Sequence, residues 1–420
     1  MSRTALRMLV FTNSDCWAHF ARQPCRARVS LKGGHTMSTV EVSEKVLSWA
    51  LDRSNLSADD LASKFPKILE WVSGTARPTL RQLEHLARAT RTPLGYFFLS
   101  EPPEESLPFP HFRTIDDGIP SQPSPDLIET IHAMQRRQDW MRRSSVERGQ
   151  EPLPFVRSAR TDEHPVTIVE SMRHALGLKA DWANTYPSWT EALRGLREAM
   201  DAAGILIVVN GIVGNSTRRK LCPDEFRGFV LVDEYAPLLF VNGSDSKAAQ
   251  MFTLAHELAH VFFGSSAAFD LRGMQPAKDP TEKACNRVAA EFLVPESELR
   301  RIWPSVRNDP EPHEAVAYQF KVSRLVAARR ALDLSLISQD QFFEFYYSHL
   351  GEERRESARK ESGGDFYRNQ NLRVGRRFAV EVANAAAEGQ LLYSEAYDLT
   401  GPYGNVFHQY VDLVRTDGAY

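Results

Sequence analysis

The stretch TLAHELAHVFF, Thr253 to Phe263, decides how the rest of the chain is read. It sets two histidines four residues apart around a glutamate, inside an otherwise uncharged and mostly apolar run. At 3.6 residues per turn, His256 and His260 stack on one helical face, so both imidazoles can reach a single ion. Glu257 lies about 100° further round the helix, beside such an ion, where a carboxylate can take a proton from metal-bound water. The flanking Phe252, Leu254, Ala255, Leu258, Ala259, Val261, Phe262 and Phe263 call for burial. Burying three ionisable groups without a shared partner is costly, and a zinc ion (Zn2+) removes that difficulty. The competing reading is a buried helix with incidental polar residues.

Zinc needs a third protein ligand and an open position for water. Downstream, DPTEKACNRVAAEFLVP (Asp279 to Pro295) predicts a helix with Asp279 as N-cap, Pro280 in its first position and Pro295 as its stop. Glu282 and Glu291 are the candidates and fall on opposite faces of that helix. Glu291 follows Arg287 by four and reads as a solvated ion-pair partner. Glu282 shares a face with Asn286 and Ala289 and is the better ligand, although its spacing from Asp279 also suits a capping box. Cys285 reads as a small buried apolar residue and not as a zinc thiolate.

Around these helices the pattern is α+β. GILIVVN (Gly204 to Asn210) has the β-branched density of a buried strand. FRGFVLVDEYAPLLFVN predicts a hairpin with strands near Phe226 to Val232 and Pro237 to Val241, hence a small antiparallel sheet. Ser244 or Asp245 is expected to cap the HELAH helix, and Gly264 to end it. Beyond Pro295 the chain reads as helical, with a break expected at Gly351 to Asp365 as a mobile surface segment.

The 420 residues imply two or three domains. Residues 1–36 are Arg-rich with one acid and read as a disordered leader or a start-site artefact, Met37 being the natural start. Residues 37–100 form an all-helical module, and the seven prolines of 101–125 a linker. The metallopeptidase domain is expected at 126–345 and a helical C-terminal region at 346–420. A net charge of -3 gives no global argument for nucleic acid. Four scattered cysteines without a CxxC pair indicate a reducing compartment. The longest apolar run, interrupted by Asn210, is too short for a membrane span, so the expected location is cytoplasmic.

TLAHELAHVFF, preceded by RGFVLVDEYAPLLFVN and followed by EKACNRVAAEFLVP, resembles the ImmA/IrrE family of gluzincin-like metallopeptidases. The upstream WALDRSNLSADDLASKFPKILEWVSGTARPTLRQLEHLARAT resembles the XRE-like helix-turn-helix module fused to that peptidase domain. The stretch from Gly363 to Gly401 is similar to the tail of such fusions. The resemblance implies His256, His260 and Glu282 as metal ligands and Glu257 as general base. It also implies cleavage of a specific regulatory protein, such as a repressor or a toxin-system partner. A second electrophile for the oxyanion is expected, with Tyr235, His313 and Tyr318 all open.

DNA contact by residues 40–100 would rest on Arg77, Arg81, Arg88 and Arg91. However, Ala62 to Gly74 is about one helical turn shorter than the family pattern, where base contacts would be made. Protein recognition or homodimerisation is the competing role of this module. A second helical pair, Glu314 to Ser338, has the same rhythm and reads as a structural extension, with Arg324, Arg329 and Arg330 leaving nucleic-acid contact open. Two functions follow: a zinc endopeptidase, or a DNA-binding regulator or antitoxin whose zincin domain senses or grips a partner without significant proteolysis.

Overall fold

Side-chain caps begin several helices, those after Ser57, Thr79, Ser124, Ser188, Ser246, Asp279 and Ser323 among them, because a Ser, Thr or Asp at the boundary satisfies amide groups that the first turn leaves open. A computed structural model describes residues 39–54, 56–104, 123–269, 279–357 and 366–416. The expected leader, most of the Pro-rich linker and the end of the expected mobile segment lie outside these residues. Contacts divide the chain into two units, Met1–Ser106 and Leu107–Tyr420.

The first unit is helical: α1 (Glu44–Ser54), α2 (Ala58–Ala62), α3 (Ile68–Val72) and α4 (Leu80–Ala89). Ser57 with Asp60, and Thr79 with Gln82, form reciprocal capping boxes at α2 and α4. Val46, Leu47, Ile68, Trp71, Leu83, Leu86 and Phe97 make its core. Helix α3, where the helix-turn-helix resemblance would expect base contacts, has five residues, and its outer side exposes Leu69 and Glu70. The four arginines proposed for DNA are exposed, and Arg77 pairs with Glu41 at 3.4 Å.

In the second unit, α5 (Pro125–Glu147), α6 (Pro165–Leu176) and α7 (Trp189–Ala202) precede the strands β1 (Leu206–Asn210), β2 (Gly228–Leu231) and β3 (Leu238–Asn242). Next come α8 (Lys247–Phe263), β4 (Ala267–Phe269), α9 (Pro280–Leu293), α10 (Glu296–Val306), α11 (Pro312–Phe320) and α12 (Arg324–Asp333). The chain closes with α13 (Gln339–Ser357), α14 (Phe366–Val374), α15 (Arg376–Ala387), α16 (Tyr393–Thr400) and α17 (Asn405–Thr416). Helix α13 runs through the first half of the segment expected to be mobile; Glu352, Glu353, Arg354 and Arg355 are good helix formers. No helix among the described residues is long and apolar enough to cross a membrane.

The sheet is mixed and not antiparallel, with strand order β1-β3-β2-β4. The hairpin forms as expected, Phe229 pairing with Phe240 and their rings stacked at 4.9 Å. However, β3 inserts beside β1 in parallel register, Leu206 opposite Leu238. The connection at 211–227 is long enough for that insertion, which hairpin spacing alone does not reveal.

Both faces of the sheet are covered, which explains why the strands read as nearly continuous apolar runs. Ile207, Val209, Val230, Leu239 and Val241 pack in the core that contains α8 and α9. Leu206, Val208, Phe229, Leu231, Leu238 and Phe240 face a second core with α5, α15 and α17, including Phe378, Val382 and Tyr410. The C-terminal helices therefore share a core with the sheet. Val316, Ala317, Ala327 and Ala331 of α11 and α12 likewise belong to the first core.

Glu291 is not a solvated partner of Arg287. It is buried, forms an ion pair with Arg330 and accepts the Glu296 amide at 3.2 Å, while Arg330 Nε donates to the Val294 carbonyl. Four-residue spacing identified a helix neighbour, but α12 packing against α9 supplied a nearer cation. Arg324 pairs with Glu314 at 2.6 Å and Arg329 with Asp333 at 2.9 Å. The three arginines that kept nucleic-acid contact open are thus engaged with acids of their own fold. Arg330→Ala, which strands a buried carboxylate, is expected to lose about 3–5 kcal/mol in denaturant unfolding, whereas Arg330→Met with Glu291→Leu should recover most of it.

Candidate metal centre

Helix α8 starts at Ser246, whose hydroxyl accepts the Ala249 amide, and not at Ser244 or Asp245. Ser244 donates its hydroxyl to the Gly211 carbonyl, and Asp245 is held by Arg227 at 3.1 Å and by the Ser246 amide. The helix ends at Gly264, whose φ of 75° suits glycine. Its apolar face lies on the sheet, and the fit depends on Gly228. A Cβ there would stand 2.5 Å from Thr253 Cγ2 and 2.8 Å from the Phe240 carbonyl oxygen. It would also lie 3.4 Å from Glu257 Oε1, so the first residue of β2 faces that carboxylate.

His256 and Glu257 are both 0% exposed and His260 is 1% exposed. Helix α9 begins where expected, Asp279 accepting the amides of Thr281 and Glu282. It carries the Glu282 carboxylate to 3.1 Å from His256 Nε2 and 3.3 Å from His260 Nε2. The two Nε2 atoms are themselves 3.1 Å apart. Of the two glutamates weighed from the sequence, Glu282 is the one brought to the histidines.

His256 Nδ1 lies 3.1 Å from Asn286 Oδ1. A bound ion would take the Nε2 lone pair, leaving Nδ1–H to donate to that oxygen. Asn286 is a positioning residue that spacing alone did not single out, although its place four residues after Glu282 puts it on the same helical face. Gly228 was likewise missed; its signal is a glycine opening an apolar strand.

Electrostatics divide the carboxylates. Burial, with the Glu282 charge second, pushes the Glu257 carboxyl well above the usual range, and neither of its oxygens has a hydrogen-bond partner among the described residues. Burial also acts to raise Glu282, but in the ion-free centre hydrogen bonds donated from the Nε2 atoms of His256 and His260 outweigh it and hold that carboxyl well below its ordinary value. Burial lowers His256, against the opposing influence of Glu282, so its ring favours the neutral form that a metal requires.

Cys285 is wholly buried among apolar neighbours, as expected, yet its sulfur also belongs to the site. The ligand atoms of His256, His260 and Cys285 all lie within 4.8 Å of one another, a group able to hold a metal ion. Burial, followed by the charges of Glu282, Glu257 and Asp279, pushes the thiol well above its usual range. The residues fit a divalent ion. Tetrahedral ligands about 2.0–2.2 Å from zinc stand roughly 3.3–3.6 Å from one another, close to the 3.1 and 3.3 Å separations of Glu282 from the imidazoles.

The three candidate electrophiles have other surroundings. Tyr235 lies under the Arg142 guanidinium, His313 packs between Trp303 and Phe345, and Tyr318 is exposed beneath Lys321. None of these contacts involves the histidines or Glu282.

Residues 201–332 match a peptidase family model described as the IrrE N-terminal-like domain, and residues 374–412 match a domain of unknown function. No curated protein matches the chain. The first match supports the ImmA/IrrE resemblance for the domain that contains every residue of this centre.

Metal analysis of the purified protein is expected to find about one ion per chain, lost in His256→Ala and Glu282→Ala and kept in Glu257→Gln. Asn286→Ala should weaken binding by about 10–100-fold. A cobalt(II)-loaded sample distinguishes the donors: ligation by Glu282 produces no thiolate-to-metal absorption, whereas ligation by Cys285 produces a band that Cys285→Ser removes.

Proposed function

We propose that this chain is a zinc-dependent endopeptidase that cuts a specific regulatory protein, of the repressor or antitoxin kind. The observation that carries the reading is the Glu282 carboxylate beside both Nε2 atoms, with Glu257, unpartnered among the described residues, on the adjoining face of α8. His256, His260 and Glu282 would hold the ion, which supplies Lewis acidity toward a peptide carbonyl and toward water. Asn286 keeps the His256 ring in the orientation that points Nε2 to the site. Glu257 is the proton carrier. Burial favours its protonated form in the ion-free centre; a bound cation would favour the carboxylate, which could then receive a proton from the attacking water and release it to the departing amide nitrogen.

The peptidase match at residues 201–332 supports hydrolysis of a protein. Regulatory specificity rests on the resemblance to helix-turn-helix fusions, with residues 37–100 as the module that selects a partner, dimerises or contacts DNA. Free Cys222 and Cys285 agree with a cytoplasmic location.

One observation favours the second reading, a regulator that senses or grips its partner without significant proteolysis. His256, Glu257 and His260 are almost completely covered, and of the proposed ligands only Glu282, its side chain 19% exposed, meets the surface. The two readings separate in a proteomic comparison of cells carrying wild type or Glu257→Gln. The peptidase reading expects a partner cleaved only by wild type. Identical proteomes with identical regulation would overturn it and leave the binding role.

A further inference from the structure

The sheet face turned away from α8 borders a cavity of about 180 Å³ between α5, the end of β1 and the helices α14 and α16. Part of its wall, Asp398 to Gly401, belongs to the domain of unknown function, and part, including Asn210 and Val213, to the peptidase-like domain. Its volume is below the roughly 300–1,000 Å³ of drug-sized ligand sites, which suits a small metabolite and excludes a folded peptide.

Three guanidinium groups line the cavity: Arg136, Arg137 and Arg373. Arg137 is anchored without a carboxylate, Nε donating to the Leu399 carbonyl at 2.9 Å and Nη1 to the Arg373 carbonyl at 2.8 Å and to Met134 Sδ at 3.9 Å. Arg373 is half-buried, and among the described residues neither it nor Arg136 forms an ion pair. The acids on the wall do not offset this charge. Glu129 is already paired with Arg219 at 2.6 Å, and Asp398 is exposed. Burial lowers the pKa of Arg137 to about 10 and also lowers that of Arg373, the direction expected for cations without a nearby carboxylate.

Gln370 is 0% exposed, and its Nε2 donates to the Thr400 carbonyl at 3.1 Å. Its Oε1 has no donor among the described residues. Less than 1 Å² of that oxygen is accessible, so the amide closes the wall and does not itself meet an occupant of the cavity.

The geometry points to a binding site for a small anion, a carboxylate or phosphate ester of metabolite size. Its anionic group meets Arg373 and Arg136. The proposal does not depend on the peptidase reading, because the cavity lies across the sheet from the histidines.

The test is calorimetric titration and thermal unfolding of the full chain with glycerol 3-phosphate, L-malate, inorganic phosphate and glycerol. Glycerol 3-phosphate or L-malate is expected to bind and raise the unfolding temperature, the preferred one revealing whether the natural group is phosphate or carboxylate. Inorganic phosphate should bind more weakly, and glycerol not at all. Arg373→Met is expected to cut affinity about 10-fold or more while leaving the ligand-free unfolding temperature near wild type. Arg136→Gln, at an exposed position, provides the same comparison if Arg373→Met fails to fold. Absence of binding by both hydroxylated anions, or binding undiminished in the folded variant, overturns the proposal.

Discussion

His256 and Glu257 are fully buried, and that burial governs the electrostatics of the whole centre. In an apolar interior an ionisable group must find a partner, change its protonation state or meet a metal. Helix α8 leaves Glu257 without any partner among the described residues and brings the two imidazoles together. Glu282 then enters from a different helix and stays ionised because both rings bond to it. One carboxylate is driven toward its acid form and the other toward its base form, and this division separates a ligand from a proton carrier.

Such a division requires that α9 be held accurately against α8. Three features do so, at different points along α9. Asp279 caps its first turn, Asn286 reaches His256 from its middle, and Glu291 near its end is clamped by Arg330 from α12. On the other side of α8, Gly228 lets the sheet approach closely enough to wall in Glu257. The helices after the peptidase-like domain are not passive in this arrangement. Phe378 and Tyr410 fill the core under the opposite face of the sheet and support β2 and β3 from behind.

Much of this was legible in the chain. Apolar spacing marked α8, the Asp279–Pro280 pair marked the start of α9, and the β-branched run at Leu206 marked β1, because each signal is local. Errors arose where a local signal had several possible satisfiers. Ser244, Asp245 and Ser246 are all good caps, and the choice fell to Ser246 because the other two side chains bond to Gly211 and Arg227. Glu291 has a lysine-like neighbour in Arg287 four residues back, yet Arg330, distant in sequence, reaches it first. Cys285 was read by its apolar character, which its burial matches, while its proximity to the imidazoles depends on how two helices cross.

The sequence by itself determined the elements and the faces they present, since helical periodicity, capping and strand composition act over a few residues. His256, Glu257 and His260 were placed on their helix by that arithmetic alone. Tertiary structure decided which glutamate meets them, where β3 inserts, and that three arginines surround a cavity across the sheet. Those outcomes rest on contacts between segments far apart in the chain, where packing geometry and desolvation, not local propensity, select the partner.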